Sequence, residues 1–149
     1  MTVASRRLLF VIAAVSGLIV TGCGRHAAKV SGSVSFDGQP VTTGVVTFNP
    51  VSSGAAAYGP IGTDGRYTIH TGAETGLEPG DYKVTVAANA TPEQAAAMGF
   101  KVGREGIMPL LTPIRYADTS TTPLTVAVKP GSQVIDLSLE RDAPRRPPR

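Results

Sequence analysis

The chain has one cysteine, two histidines and no tryptophan among 149 residues, so it is poor in the side chains most chemistry requires. A single thiol forms no disulfide within the chain and no thiolate metal cage. Charged residues make up 17% and aromatic residues 5%, while hydrophobic residues reach 42%. That balance excludes a wholly disordered chain. The 17 Gly and 12 Pro follow no G-X-Y period, so they mark turns and exclude a collagen helix. The apolar run at 8–20 has 13 residues, short of the about 20 needed to span a bilayer as a helix. The length predicts one domain with tails.

The formal charge of +3 is concentrated at the two ends. Setting aside residues 1–22 removes Arg6 and Arg7 and leaves 12 basic against 11 acidic residues. Without the tail after Glu140 as well, the body at 24–140 holds 8 basic and 10 acidic residues. A body of that charge is not a nucleic-acid binder. Arg6 and Arg7, the apolar run and then the small residues Thr21 and Gly22 form the three parts of a signal peptide over 1–22.

Val20-Thr21-Gly22-Cys23 resembles the bacterial lipobox, in which an aliphatic and two small residues precede a cysteine. The resemblance implies recognition of Val20, Thr21 and Gly22 by a signal peptidase. It also implies a diacylglyceryl thioether on Cys23, which becomes the first residue and is usually N-acylated. One acyl chain binds a membrane marginally, and two or three hold it lastingly. The expected partner of this end is therefore a membrane, reached through lipidated Cys23. Ser5-Arg6-Arg7-Leu8-Leu9-Phe10 partly resembles a twin-arginine signal, but paired basic residues are common and general secretion is favoured. Gly24, rather than Asp, follows the cysteine, which resembles the default sorted to the outer membrane where two membranes exist. The mature chain of 127 residues, lipidated on its only thiol, is expected to fold outside the cytoplasm without a disulfide.

Period-2 alternation dominates the remainder. Val30, Gly32, Val34 and Phe36 alternate with Ser31, Ser33 and Ser35. Similar runs carry Val46 and Phe48, Tyr67 and Ile69, Tyr82, Val84 and Val86, Leu124, Val126 and Val128, and Ile135, Leu137 and Leu139. Each run predicts one buried and one wet face, as in antiparallel sheets packed face to face. Asp37-Gly38, Asp64-Gly65, Pro79-Gly80 and Pro130-Gly131 supply turns. A weak strand at 57–62 is expected to pair with 65–71 through Asp64-Gly65. The expectation is all-β: a seven-stranded antiparallel β-sandwich over 29–140, preceded by a lipidated tether at 23–28.

V-S-G-S-V-S-F-D-G-Q-P-V (30–41), G-V-V-T-F (44–48), D-G-R-Y-T-I (64–69) and L-E-P-G-D-Y-K-V-T-V (77–86) resemble transthyretin-like, or carboxypeptidase-regulatory-like, domains. P-I-R-Y-A-D-T-S-T-T-P-L-T-V (113–126) followed by K-P-G-S (129–132) resembles small bacterial lipoproteins built on that domain. The resemblance covers about 30–140 and implies a Greek-key, prealbumin-like sandwich serving as a non-catalytic envelope module. Fold alone limits function weakly. A hydrolase of 5-hydroxyisourate is the enzyme the resemblance raises, but its C-terminal Tyr-Arg-Gly-Ser is missing here; the chain ends Arg-Pro-Pro-Arg.

The segment at 90–116 breaks the alternation. Thr91-Pro92-Glu93-Gln94 predicts a short capped helix that Gly99 stops. Apolar residues then recur between glycines and prolines. A connection this long either folds back over an open edge or end of the sandwich, the commoner outcome, or presents a binding surface. Phe100, Ile107, Met108, Leu110, Leu111, Arg115 and Tyr116 are the candidate partner contacts. The Arg/Pro-rich stretch at 141–149 reads as a disordered, solvated tail whose arginines could meet phosphate head groups or anionic wall polymer.

His26 is placed in the tether and His70 on the wet face of its strand, with no metal-ligand spacing between them. No G-x-S-x-G elbow occurs. Asp37, Asp64 and Asp81 sit beside glycines at turns and match no calcium loop. Tyr67 and Tyr82 fall on the inward phase, leaving Tyr58, Phe100 and Tyr116 for any sugar platform. These observations predict no catalytic residue, metal or cofactor. They predict a lipid-anchored extracytoplasmic protein acting as a non-enzymatic binding or structural module, with an envelope protein or polysaccharide as candidate partner. A carbohydrate-binding module is the first alternative and a small hydrolase a distant second. No oligomeric state follows from the sequence.

Overall fold

The computed structural model describes residues 26–101 and 106–141. The expected signal segment at 1–22, Cys23 to Arg25, the stretch at 102–105 and the expected tail from 142 lie outside the described residues. Among the described residues, eleven short strands, one short α-helix and one 3-10 turn make an all-β sandwich of two open sheets. In chain order the strands are β1 (Ala28–Phe36), β2 (Gln39–Pro40), β3 (Val45–Pro50), β4 (Ala57–Pro60), β5 (Arg66–Thr68) and β6 (His70–Thr71). They continue with β7 (Glu74–Thr75), β8 (Gly80–Ala87), β9 (Thr125–Val128), β10 (Gly131–Val134) and β11 (Leu137–Leu139).

The larger sheet runs β7-β6-β4-β3-β8-β9, antiparallel throughout. Alternation explains it. Val46 and Phe48 on β3 and Tyr82, Val84 and Val86 on β8 are buried, and their outward neighbours are mostly polar. The smaller sheet is centred on β1. One edge of β1 takes β5 and β2, antiparallel; the other takes β10 and β11, parallel. The sandwich is therefore mixed at this sheet and not wholly antiparallel. A parallel pair requires a crossover connection, and here the entire larger sheet supplies it.

Two runs differ from what the alternation alone predicts. The run 66–71 splits at Ile69: β5 joins β1, whereas β6 joins β4 through Tyr58 and His70. The Asp64-Gly65 turn is tight, with Gly65 N–H donating to the Gly62 carbonyl at 2.9 Å and Gly62 N–H to that of Arg66 at 2.8 Å. Its returning strand nevertheless passes to the opposite sheet, so 57–62 and 65–71 form no simple hairpin. The last run, read from Ile135 onward, is strand only over Leu137–Leu139, and Ile135-Asp136 separates it from β10, which the alternation did not mark.

The core lies between the sheets. Phe48, Ile69, Leu77 and Leu139 are its largest fully enclosed side chains. Tyr67 and Tyr82 are also buried, with rings 6.5 and 5.9 Å from that of Phe48. Their hydroxyls donate to the carbonyls of Ile135 (2.6 Å) and Glu78 (2.8 Å). Burial, and secondarily the Asp136 charge, pushes the Tyr67 phenol well above its usual range. No described helix is long and apolar enough to cross a membrane.

Candidate functional site

The long insertion divides into two parts. Its first part carries α1 (Pro92–Ala97), closed by the capping box expected from the sequence: Gln94 N–H donates to Thr91 Oγ1 at 3.3 Å, and Thr91 N–H to Gln94 Oε1 at 2.8 Å. Gly99, at φ 73°, ends the helix. The second part returns to the sandwich. Ala90 N–H donates to the Pro109 carbonyl (2.8 Å) and Leu111 N–H to the Ala88 carbonyl (2.7 Å), extending β8 past its end. A 3-10 turn at Ile114–Tyr116 then packs against β8.

Tyr116 occupies the opening between the two sheets. It is only 3% exposed, and its hydroxyl accepts from Glu140 N–H at 3.0 Å and Arg115 Nη2 at 2.9 Å. Arg115 Nη2 also donates to the Glu140 carbonyl at 2.7 Å, and its guanidinium lies 4.7 Å from the Tyr116 ring centre. A segment that connects β8 to β9 within the larger sheet is thus tied to the end of the smaller sheet. Beyond it, Thr122 Oγ1 donates to the Val84 carbonyl at 2.6 Å and Lys83 Nζ to that of Thr119 at 3.1 Å. Asp118 accepts from both Ser120 Oγ and N–H, which holds its carboxyl below the usual range.

The seven candidate contacts therefore separate. Phe100 (41% exposed) and Ile107 (65%) project to the surface with Met98. Met108 and Leu110 are half-buried, and Leu110 makes a backbone bridge to Asn89. Leu111 packs on the core. Tyr116 is buried and Arg115 is turned onto it, so both seal the sandwich rather than offer a surface. Arg141 is also held: its N–H donates to Asp37 Oδ1 at 3.1 Å, and its guanidinium lies 3.2 Å from Asp37 Oδ2. Arg141, expected at the start of the tail, is thus held on the sandwich.

The N-terminal junction is docked, not free. Ala28, expected in the tether, is fully buried as the first residue of β1 and exchanges hydrogen bonds with Leu77. His26 places its imidazole 3.1 Å from Glu78 Oε1 and 3.9 Å from Glu74 Oε2. With Pro50, the loop 52–55 and Glu78 to Tyr82, it lines a cavity of about 180 Å³. Neither carboxylate partner of His26 was foreseeable from local spacing.

A groove of about 470 Å³ crosses the outer face of the smaller sheet, lined by Ser31, Ser33, Arg66, Thr68, Val134 and Asp136. Asp136 Oδ1 accepts from Ser33 N–H and Oγ, each at 2.8 Å, and those bonds hold its carboxyl below the usual range. A carboxylate so stabilised is a weak base. His70 lies in a neighbouring depression with Pro60, Ile61 and Arg66, and its Nδ1 meets Thr75 Oγ1 at 3.3 Å. The serine and its carboxylate are thus joined without an intervening imidazole, unlike a nucleophile–base–orienter series. Among the described residues no cluster of His, Cys, Asp and Glu has metal-ligand geometry. Ser31 and Ser33 were legible as a wet face; the pairing of Ser33 with Asp136 was not. Comparison with protein-family models, curated proteins and solved structures finds no match.

Proposed function

We propose that the chain is a lipid-anchored extracytoplasmic protein whose sandwich acts as a non-enzymatic binding or structural module of the cell envelope. The observation that carries this reading is Val20-Thr21-Gly22-Cys23, placed at the end of the apolar run and holding the only cysteine. The sandwich supports it by beginning at Ala28, so that the anchor and the folded domain are separate units. Of the candidate contacts, Phe100 and Ile107 are the exposed apolar groups left for an envelope protein or polysaccharide partner, and Met98 and Ile114 are exposed on the same insertion.

The carbohydrate-binding alternative draws on the hydroxyl-lined groove of Ser31, Ser33 and Thr68. It lacks a clustered aromatic platform: Tyr58 is exposed on the larger sheet, Phe100 on the insertion, and Tyr116 is buried. The anchor is tested with Cys23→Ala. The expected result is loss of the acyl mass on the N-terminal peptide and release from, or failed processing at, the membrane. Normal processing and membrane retention of this variant would overturn the reading.

A further inference from the structure

The chain between Cys23 and the docked His26 is three residue steps long. Fully extended, three residues reach no more than about 10 Å. His26 is itself fixed to one pole of the sandwich by Glu78 and Glu74, beside the loop 52–55 and the start of β8. We infer that this pole is a membrane-apposed surface, seated on the phospholipid headgroup layer that holds the acyl chains of Cys23. The inference rests on the anchor proposed above.

The residues of the pole suit that position. The loop 51–56 is exposed throughout and made of valine, serine, glycine and alanine. Such short side chains let a backbone approach a headgroup layer closely. Val51 is 63% exposed at its base, with its N–H held by the Asp81 carbonyl at 2.9 Å. Two of the pole's carboxylates, Glu74 and Glu78, already face His26, and a third, Asp81, lines the same cavity. Lys129 enters the same pole, since Gly131 N–H donates to the Ala27 carbonyl at 2.8 Å.

Nine-residue β1 runs away from this pole, a length of roughly 25–30 Å. At its far end lie the Asp64-Gly65 turn, which bonds to Val34, and Arg141 on Asp37. The insertion leaves the same end, because Ala88 follows the β8 residue paired with Val45 at the start of β3. Phe100 and Ile107 are then displayed away from the anchoring bilayer.

The test uses full-length, lipidated protein in phosphatidylcholine vesicles containing a headgroup-spin-labelled lipid. In the acylated chain the only native thiol is consumed, so Ser53→Cys and Thr63→Cys each supply one site for an environment-sensitive fluorophore. The expected result is quenching at residue 53 and none at residue 63. A flexible Gly-Ser linker, longer than the sandwich and inserted after Gly24, should abolish quenching at 53 while vesicle binding persists. Vesicle-bound protein quenched equally at both sites, or at neither, would overturn the apposed pole and leave the anchor standing. Protein that carries no acyl mass and stays off the vesicles would overturn both.

Discussion

The two sheets are built on opposite plans. In the larger sheet, strands β3, β4 and β8 pair in ordinary antiparallel ladders, with register following from alternating burial. In the smaller sheet a single strand, β1, collects four partners from three separate parts of the chain. Contacts that repeat along a ladder share the load, whereas contacts that converge on one strand depend on a few positions. At Gly32 a Cβ would stand 1.9 Å from the Ile135 carbonyl oxygen, so the backbone of the β10–β11 junction closes onto β1 only because no side chain is there.

The difference can be broken where the sheets meet. Tyr116→Ala removes the buried ring that joins β8 to the end of β11 and should cost about 3–5 kcal/mol of unfolding free energy, measured by urea denaturation. Gly32→Ala should cost about 3 kcal/mol, the upper part of the overpacking range, since both nearest atoms are backbone. Hydrogen exchange sharpens that case: amides of β10 and β11 should lose protection while those of β3 and β8 keep theirs. Equal loss in both sheets would mean that the sheets unfold as one unit.

Thr91→Ala removes the cap of α1 and should destabilise that helix by about 1 kcal/mol. Because α1 hangs beyond the ladder of the larger sheet, the global thermal midpoint should stay in place while exchange rises at Gln94 and its neighbours. The smallest effect concerns pH. Asp136 is held below its ordinary value of 3.8 by Ser33. Its contribution is therefore complete above that value and is lost as pH falls through the lower folded value. Asp136→Asn should lower stability slightly near neutrality, where the carboxylate's contribution is complete, and flatten the acid limb so that the two proteins converge at low pH; an unaltered profile would show that the bond does not pin β11.

Local periodicity reports which face of a strand is buried, and that much was legible. Val30 and Val34, Tyr82, Val84 and Val86, and Leu137 and Leu139 are all inside. Thr91 and Gln94 were legible as a capping box because both partners lie within one turn. Neighbour choice was not legible, since alternation is the same whether a strand pairs locally or across 103 residues, as Ser33 and Asp136 do. Strand splitting at Ile69 and the burial of Tyr116 share this cause. His26 was read as part of a tether because its partners, Glu74 and Glu78, are distant in sequence. The proposed anchor was read from residue types alone, and Val20 to Cys23 lie outside the described residues.

The parallel partnership of β1 also sets an order of events. The first strand of the domain receives one entire edge from residues 131–139, the last strands of the sandwich to emerge from any machine that delivers the chain end to end. Until then β1 exposes unpaired backbone groups, and closing so long a loop is slow. The larger sheet, with its nearer pairings, can assemble while the chain is still arriving; the sandwich closes only on completion. Folding is thereby coupled to the delivery of an intact C-terminal region, and a chain cut before Gly131 should persist as an open, aggregation-prone half.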